Sequence, residues 1–228
     1  MNFSSNCMSP GADGRAAISR GPGHTPHLLP PAAMLKSGPK PKRKRPSDDT
    51  GKLLLKAAAA EFNQRGYDGT DTNRIARRAG FAPQTFYRWY QDKEAIFIEV
   101  YREWQSSEAQ AIGGLLQGDA DDAALVDACV GYHESYRKFR RSLRQLSYER
   151  PRVRAARAES RAKQVAFIQQ WYPHLHDDAV VATALLQIER LSDALAEGEF
   201  RDLSLPDSAA RAELARIIRS LRGSAKKP

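Results

Sequence analysis

The sequence predicts an all-α protein with a small helical head followed by a larger helical body. From residue 48 onward, apolar residues recur every three or four positions, which is the spacing of one face of a helix. No segment alternates apolar and polar residues as a half-buried strand does. The prolines that interrupt this region before the terminal Pro228 each fit a helix boundary; they are Pro83, Pro151, Pro173 and Pro206.

The composition limits the class of protein. With 228 residues, of which 41% are hydrophobic, the chain can bury the core of one or two domains. No apolar run approaches the roughly 18 residues of a membrane span. The N-terminus also lacks the apolar region of a secretory signal, so we expect a cytoplasmic protein with no membrane partner. The two cysteines, Cys7 and Cys129, lie far apart, which argues against a disulfide framework or a cysteine metal cluster.

Residues 1–46 differ from the rest of the chain. They are rich in Gly, Pro, Ser and Ala and carry eight basic side chains against Asp13, so most of the net charge of +9 lies here. We expect this tail to be disordered. Two interpretations stay open: a solubilising or non-native extension, or an arm that contacts DNA. Because Met34 begins an arm of ordinary length, we predict that residues 1–33 are dispensable, and whether they are native stays open.

Helix start and stop signals divide the remainder. For the head we predict helices over 48–65, from Thr70 or Asp71 to 79, over 83–90, and from Lys93 to about 116. For the body we predict, after an acidic loop at 118–122, one helix with an apolar stripe from Leu125 to Leu146. Further helices follow at about 151–171, 177–197 and 207–222; Gly223 ends the last, and we expect 224–228 to be disordered.

The second and third helices have the spacing of a helix-turn-helix. Ile75 and Ala76 face inward, Gly80 supplies the turn, and Phe86 points back into the core. The outer face of the third helix then carries side chains that hydrogen-bond to base edges and phosphates: Gln84, Thr85, Tyr87 and Arg88. A generic helical hairpin shows similar spacing, so this pattern alone leaves that alternative open.

Three consecutive segments are more specific; they read LLLKAAAAEFNQRGY at 53–67, TDTNRIARRAGF at 70–81 and PQTFYRWYQDKEAIF at 83–97. Together they resemble the DNA-binding region of TetR-type transcription regulators. The resemblance does not extend convincingly into residues 101–228. Two positions depart from the family pattern: Ala82 stands where a capping Ser is common, and Thr72 where an aliphatic residue is common.

The resemblance implies which residues approach DNA. The residues expected to approach bases are Asn73, Gln84, Thr85 and Arg88. Those expected near phosphates are Thr72, Tyr87, Trp89 and Lys93, although Trp89 is equally well explained as a core residue. Because residues 47–100 carry eight basic and eight acidic side chains, we expect affinity to need directed contacts and the basic tail. The tail residues assigned to DNA include Lys42, Arg43, Lys44 and Arg45.

The family also implies a two-domain plan, with residues 47–97 binding DNA and residues 98–223 forming a ligand-binding and dimerisation body. The last two helices would pair with a second copy through two apolar stripes: Val181, Leu185, Ile188, Leu191 and Leu195, then Leu214, Ile217, Ile218 and Leu221. Packing within one chain needs the same stripes, so both explanations stay open. The implied protein is a homodimeric repressor, released from a palindromic DNA operator by an unknown small-molecule effector. The alternative is a DNA-associated structural protein without ligand sensing.

Residues outside the head carry weaker signals. Aromatic candidates for a ligand-pocket wall are Tyr132, Tyr136, Phe139, Phe167 and Trp171, all equally consistent with core packing. We interpret His174 and His176 as a polar loop instead of a metal site, and Cys129 as a small core residue. No catalytic pattern stands out, so we expect neither an enzyme nor a cofactor. The basic segment 137–163 suggests an acidic effector, further DNA, or simply a solvated face.

Overall fold

The computed structural model describes residues 48–223, and within that range every regular element is a helix. The helices of the head are α1 (Asp48–Arg65), α2 (Thr72–Arg78) and α3 (Pro83–Phe86), and α4 (Lys93–Gln117) leads into the body. The body helices are α5 (Asp122–Ser135), α6 (Arg137–Glu149), α7 (Pro151–Trp171), α8 (Asp178–Glu197), α9 (Glu199–Asp202) and α10 (Ser208–Arg222). The tail at 1–46, with its basic residues Lys42, Arg43, Lys44 and Arg45, and residues 224–228 lie outside this description.

The all-α prediction is confirmed, and most helix boundaries follow the sequence signals. Helix α1 spans the predicted residues, and Asp71 caps α2 by accepting a hydrogen bond from the Arg74 amide at 2.7 Å. Asp92 caps α4 in the same way, with its carboxylate 2.6 Å from the Ala95 amide. These caps satisfy amide groups that a helix start leaves without partners. Short polar side chains therefore fixed the entries of both helices.

Helix α3 is shorter than predicted. It ends at Phe86, and the chain continues to Tyr90 as a tight turn in which the amides of Arg88 and Trp89 bond to carbonyl oxygens three residues earlier, at 3.3 and 2.9 Å. Such tightening is common where a helix ends. The short helix α9, after Gly198, was not predicted at all.

The predicted single helix across residues 125–146 is wrong. Helix α5 ends at Ser135 and α6 begins at Arg137, with Tyr136 outside helical geometry at φ −119°. The Asn63 side chain on α1 donates a hydrogen bond of 2.5 Å to the Ser135 carbonyl oxygen, and the Ser135 hydroxyl bonds back to Gly131. These side-chain hydrogen bonds engage the Ser135 and Gly131 carbonyl oxygens next to the break. The apolar periodicity runs on across it, so sequence spacing gave no sign of two helices.

One aromatic core joins the head to α6. Phe62, Phe86 and Phe97 are fully buried. The Phe97 ring lies 5.0 Å from Phe62 and 4.8 Å from Phe139 on α6, measured between centroids. Burying each such side chain stabilises the fold by roughly 1.5–3 kcal/mol. Because Phe139 belongs to this core, α6 is fixed to the head by apolar packing.

Glu61 ties the first two helices of the head together. Its buried carboxylate accepts hydrogen bonds from the Thr70 hydroxyl at 3.1 Å and from the Arg78 guanidinium at 2.8 Å. Burial alone would raise the pKa of Glu61, but these hydrogen bonds and the charge of Arg78 lower it below its ordinary value. The sequence pattern did not single out this residue.

Within the body, α8 packs against α5 and α10. The apolar stripes assigned to a dimer interface pack here within one chain: Val181 and Leu214 are fully buried, and Leu195, Ile217, Ile218 and Leu221 nearly so. The dimer assignment of these side chains is therefore corrected. Helix α8 still exposes two apolar side chains, Val180 at 56% and Leu186 at 55%. Across residues 48–223, no helix is long and apolar enough to cross a membrane.

Candidate DNA-binding surface and internal cavity

The polar residues predicted to meet DNA lie at the surface formed by α2 and α3. Asn73, Gln84 and Arg88 are exposed, and Thr72 and Thr85 are partly buried, while Tyr87 is 58% exposed. The Thr72 and Tyr87 hydroxyl oxygens lie 3.0 Å apart, within hydrogen-bonding distance. This bond joins the start of α2 to the end of α3, so the candidate residues on either side of it share one surface.

The turn between α2 and α3 has the expected form. Gly80 takes the left-handed conformation with φ +81°, which favours glycine, and Pro83 occupies the first turn of α3. Ala82 precedes that helix and makes no side-chain capping bond. The missing Ser cap therefore leaves the helix entry without a side-chain acceptor.

Trp89 and Lys93 are placed differently from the other candidates. The Trp89 indole lies against Gly51 on α1, where an added β-carbon would come within 2.7 Å of the ring. The Lys93 ammonium donates to the carbonyl oxygens of Tyr67 at 2.9 Å and Thr70 at 3.2 Å, and lies over the Tyr67 ring. Burial lowers the pKa of Lys93. Both side chains thus make contacts within the head, and their approach to phosphates stays a prediction.

A cavity of about 130 Å³ lies in the body between α4, α5, α7, α8 and α10. One side is apolar, and its walls include Ile112, Leu116, Phe167, Ile168, Ile188 and Leu221. The other side is polar, with Gln105, Glu108, His133, Arg140, Arg161 and Glu189. An apolar pocket with a few converging polar groups is the usual form of a small-molecule site.

Of the five aromatic residues predicted for a pocket wall, Phe167 lines this cavity and the other four do not. Tyr136 and Phe139 pack against the head core, and the Tyr132 hydroxyl donates to the Ser107 carbonyl oxygen at 3.1 Å. Trp171 lies edge-on to Phe167, with centroids 6.3 Å apart. The predicted pocket wall is therefore corrected to Phe167 alone among these five residues. Aromatic type alone did not distinguish cavity walls from core.

The polar side of the cavity borders a buried ion network. Glu189, Asp193 and Glu197 recur every four residues on α8, so they share one face. Arg140, which is 3% exposed, donates to Asp193 through Nε at 2.6 Å and to Glu189 at 2.9 Å. Arg144 also pairs with Asp193, at 2.5 Å.

Two arginines on α7 also form ion pairs with Glu189. Arg157 donates to it at 2.8 Å, and Arg161 pairs with its second oxygen. Although burial raises the pKa of Glu189, the charges of Arg140 and its neighbours lower it below its ordinary value. The carboxylate therefore stays ionised.

This network accounts for much of the basic segment 137–163. Besides the arginines on Glu189 and Asp193, Arg141 pairs with Glu197, and Arg137 donates to the Ala196 carbonyl oxygen at 3.3 Å. Lys138 donates to the Gln64 carbonyl oxygen of the head at 2.9 Å. The segment is thus mainly a set of internal contacts. The four-residue spacing of acidic residues on α8 was the available signal for these partners.

The cavity groups have strongly shifted proton affinities. Burial raises the pKa of Glu108 to about 7. Burial also lowers the pKa of His133, whose Nδ1 lies 2.8 Å from Asp193, and raises the pKa of the Cys129 thiol to about 12. A thiol that stays protonated is a poor nucleophile. Within residues 48–223, no group of three or more His, Cys, Asp and Glu side chains is arranged to hold a metal ion.

Comparison with known proteins identifies the head. Residues 54–100 match the model of bacterial regulatory proteins of the tetR family. Over this stretch the head is similar to the DNA-binding domain of that family. Among relatives of known sequence, the HTH-type transcriptional regulator YdgC of Bacillus subtilis is 40% identical over 68 residues, which is 30% of this chain and 35% of YdgC. YvdT of the same organism is 28% identical over 87 residues, 37% of this chain and 45% of YvdT. The aligned part thus spans less than half of either relative.

Solved structures show the same fold over the head and the body together. FadR from Bacillus halodurans, a fatty acid degradation regulator, aligns with 81% of this chain and all of its own, with a TM-score of 0.56 at 14% identity. A protein from Rhodococcus sp. described as TetR-family aligns with 78% of this chain and all of its own, with a TM-score of 0.60 at 19% identity. At this identity the likeness shows the architecture alone: a helix-turn-helix head on a helical body.

The raised pKa of Glu108 predicts a pH-dependent stability. Between about pH 4.5 and 7 the folded state binds this proton more tightly than the unfolded state, so the free energy of unfolding falls as pH rises. The loss from this group is about 2–3 kcal/mol. Urea unfolding at pH 5 and pH 8 should show Glu108→Gln gaining stability relative to the unsubstituted protein as pH rises. Glu103→Gln, an exposed change on the same helix, should not. If the free energy of unfolding changed equally with pH in Glu108→Gln and in the unsubstituted protein, the raised pKa of Glu108 would be contradicted.

Proposed function

We propose that this chain is a transcriptional regulator of the TetR type, and that it is a repressor which a small-molecule effector releases from a palindromic operator. One observation carries the proposal: α4 begins in the head and forms a wall of the cavity. Lys93 at its start is bonded to the head, and Glu108 and Ile112 along its length line the cavity. A ligand that changes the position of α4 therefore acts on the head directly.

In this proposal residues 47–97 bind DNA and residues 98–223 bind the effector and a second copy. Asn73, Gln84, Thr85 and Arg88 meet base edges, supported by their place on the exposed face of the helix-turn-helix. The hydrogen-bonded hydroxyls of Thr72 and Tyr87 meet phosphate oxygens. The basic arm with Lys42, Arg43, Lys44 and Arg45 stays a prediction for adjacent phosphates or the minor groove.

The second copy is needed because one helix-turn-helix reads only a half-site. A two-fold dimer reads two half-sites about one helical turn apart, on a palindromic sequence. The exposed face of α8 supports this assembly, since Val180 and Leu186 remain accessible there after the rest of the apolar stripe is buried. These two side chains replace the buried stripe residues as the proposed contact.

Release follows from competition between two conformations. DNA binds best to a dimer with one separation of its recognition helices, and the effector binds best to a body in which α4 is displaced. If each ligand favours a different state, each lowers the affinity for the other by the same factor. The cavity, with its apolar wall and converging polar groups, favours this sensing role over a structural DNA-associated protein.

Selection from a random oligonucleotide pool tests the DNA target. We expect the full-length protein to enrich a two-fold-symmetric consensus with half-sites one or more helical turns apart. A light-scattering mass of the complex should give two protein chains per site. Enrichment of an asymmetric sequence, or of none, would refute the palindromic dimer.

Single substitutions separate base contacts from phosphate contacts. We expect Arg88→Ala to change preference at one operator position by about 1–3 kcal/mol, because it removes a base contact. Tyr87→Phe should weaken binding to all operator variants alike. Arg154→Ala removes an exposed guanidinium from α7 and serves as the matched control. If Arg88→Ala lowered the affinity for every operator variant equally, Arg88 would contact a phosphate and not a base.

A further inference from the structure

The cavity contains one carboxylate whose charge the protein does not neutralise. Glu108 on α4 has no arginine or lysine ion pair within residues 48–223. The nearest basic group is His133, whose Nε2 lies 3.8 Å from a Glu108 oxygen. The side-chain amide of Gln105 donates the hydrogen bond that Glu108 accepts, at 3.1 Å. A buried charge without a partner is costly unless something binds to it.

The cations around the cavity are already engaged. Arg140 and Arg161 both pair with Glu189, and Arg140 also bonds to Asp193. Arg222, at the far end, pairs with Asp122 at 2.9 Å. An anionic ligand would have to break one of these pairs. A cationic ligand could bind the Glu108 carboxylate without breaking an existing arginine or lysine ion pair.

Further acceptors accompany Glu108. The Gln105 side-chain oxygen is buried and has no hydrogen-bond partner among the described residues. The other ring nitrogen of His133, Nδ1, lies 2.8 Å from the Asp193 carboxylate, so a neutral imidazole carries its proton there. The Nε2 atom then presents a lone pair toward Glu108. This end of the cavity is therefore rich in acceptors and poor in free donors, which complements a group such as an ammonium with three N–H donors.

The opposite wall defines the rest of the ligand. It is lined by aliphatic side chains and by the Phe167 ring. An apolar cavity of about 150 Å³ holds one benzene molecule. The space of about 130 Å³ here therefore suits one ring or a short chain.

We propose that the effector is a small organic cation, with its ammonium group on Glu108 and its apolar ring or chain against the Phe167 wall. This inference rests on the proposed effector site of the regulator. It names the chemical class of the molecule that the site recognises.

Three probes of similar shape and different charge test the class: benzylamine, benzyl alcohol and benzoate. Calorimetric titration of the full-length protein should show benzylamine binding at least about tenfold more tightly than benzyl alcohol, with benzoate weakest. Glu108→Gln should reduce benzylamine affinity to that of benzyl alcohol, whereas Glu103→Gln should leave it unchanged. Benzoate binding most tightly, no benzylamine binding, or full benzylamine binding by Glu108→Gln would each overturn the proposal.

A pH series on the unsubstituted protein gives a second readout that needs no variant to fold. The groups that face Glu108 from the packed helices are Cys129, His133, Arg140, Arg161, Glu189 and Asp193. Between pH 6 and 8 we expect Glu108 to be the group among them that changes charge. Benzylamine affinity should therefore rise across this range while benzyl alcohol affinity stays level; a level benzylamine affinity contradicts the inference.

Operator binding separates this inference from the proposed function. If benzylamine binds through Glu108 and releases the selected operator, both stand. If it binds through Glu108 without changing operator affinity, the cation site stands and effector-driven release fails. If the operator is selected normally but benzylamine does not bind, the regulator stands and the cation site fails.

Discussion

The buried pairing of Arg140 with Asp193 and Glu189 holds α6 against α8, and the body is arranged around it. Arg140 is almost fully buried, so its charge requires these carboxylates in place. Although burial raises the pKa of Asp193, hydrogen bonds from His133 and Arg140 lower it far below its ordinary value. The same pairing fixes the polar wall of the cavity, because Arg140 and Glu189 both line it.

Helix α6 also carries contacts to the head, so the ion network and the DNA-binding surface share a support. Lys138 bonds to the Gln64 carbonyl oxygen, and the Ser142 hydroxyl accepts the Tyr67 amide at 2.9 Å. Phe139 lies in the aromatic core of the head. Two helices therefore connect a ligand at Glu108 to the head. They are α4, which contains Glu108, and α6, which contains Arg140.

Local signals in the sequence predicted most of the helices, but they did not predict contacts between residues far apart in the chain. Caps such as Asp71 and Asp92 fixed helix entries, because one side chain meets an amide a few residues away. The break at Tyr136 involves Asn63 on a distant helix, so no local pattern revealed it. The DNA-facing candidates came from a motif, which gave no sign that the Lys93 ammonium also bonds to the Tyr67 carbonyl oxygen within the head. Within residues 48–223 Glu108 has no arginine or lysine ion pair, and this depends on contacts between helices far apart in sequence, which no local pattern shows.

A double-mutant cycle on Arg140 and Asp193 measures most directly whether their pairing organises the body. Urea unfolding would compare Arg140→Met, Asp193→Leu and the double variant with the unsubstituted protein. We expect each single substitution to lower the free energy of unfolding by about 2 kcal/mol or more, because it leaves a buried charge without its partner. The double variant should be more stable than the sum of the single losses by about 1–3 kcal/mol. Additive losses, or single substitutions without effect, would contradict the account.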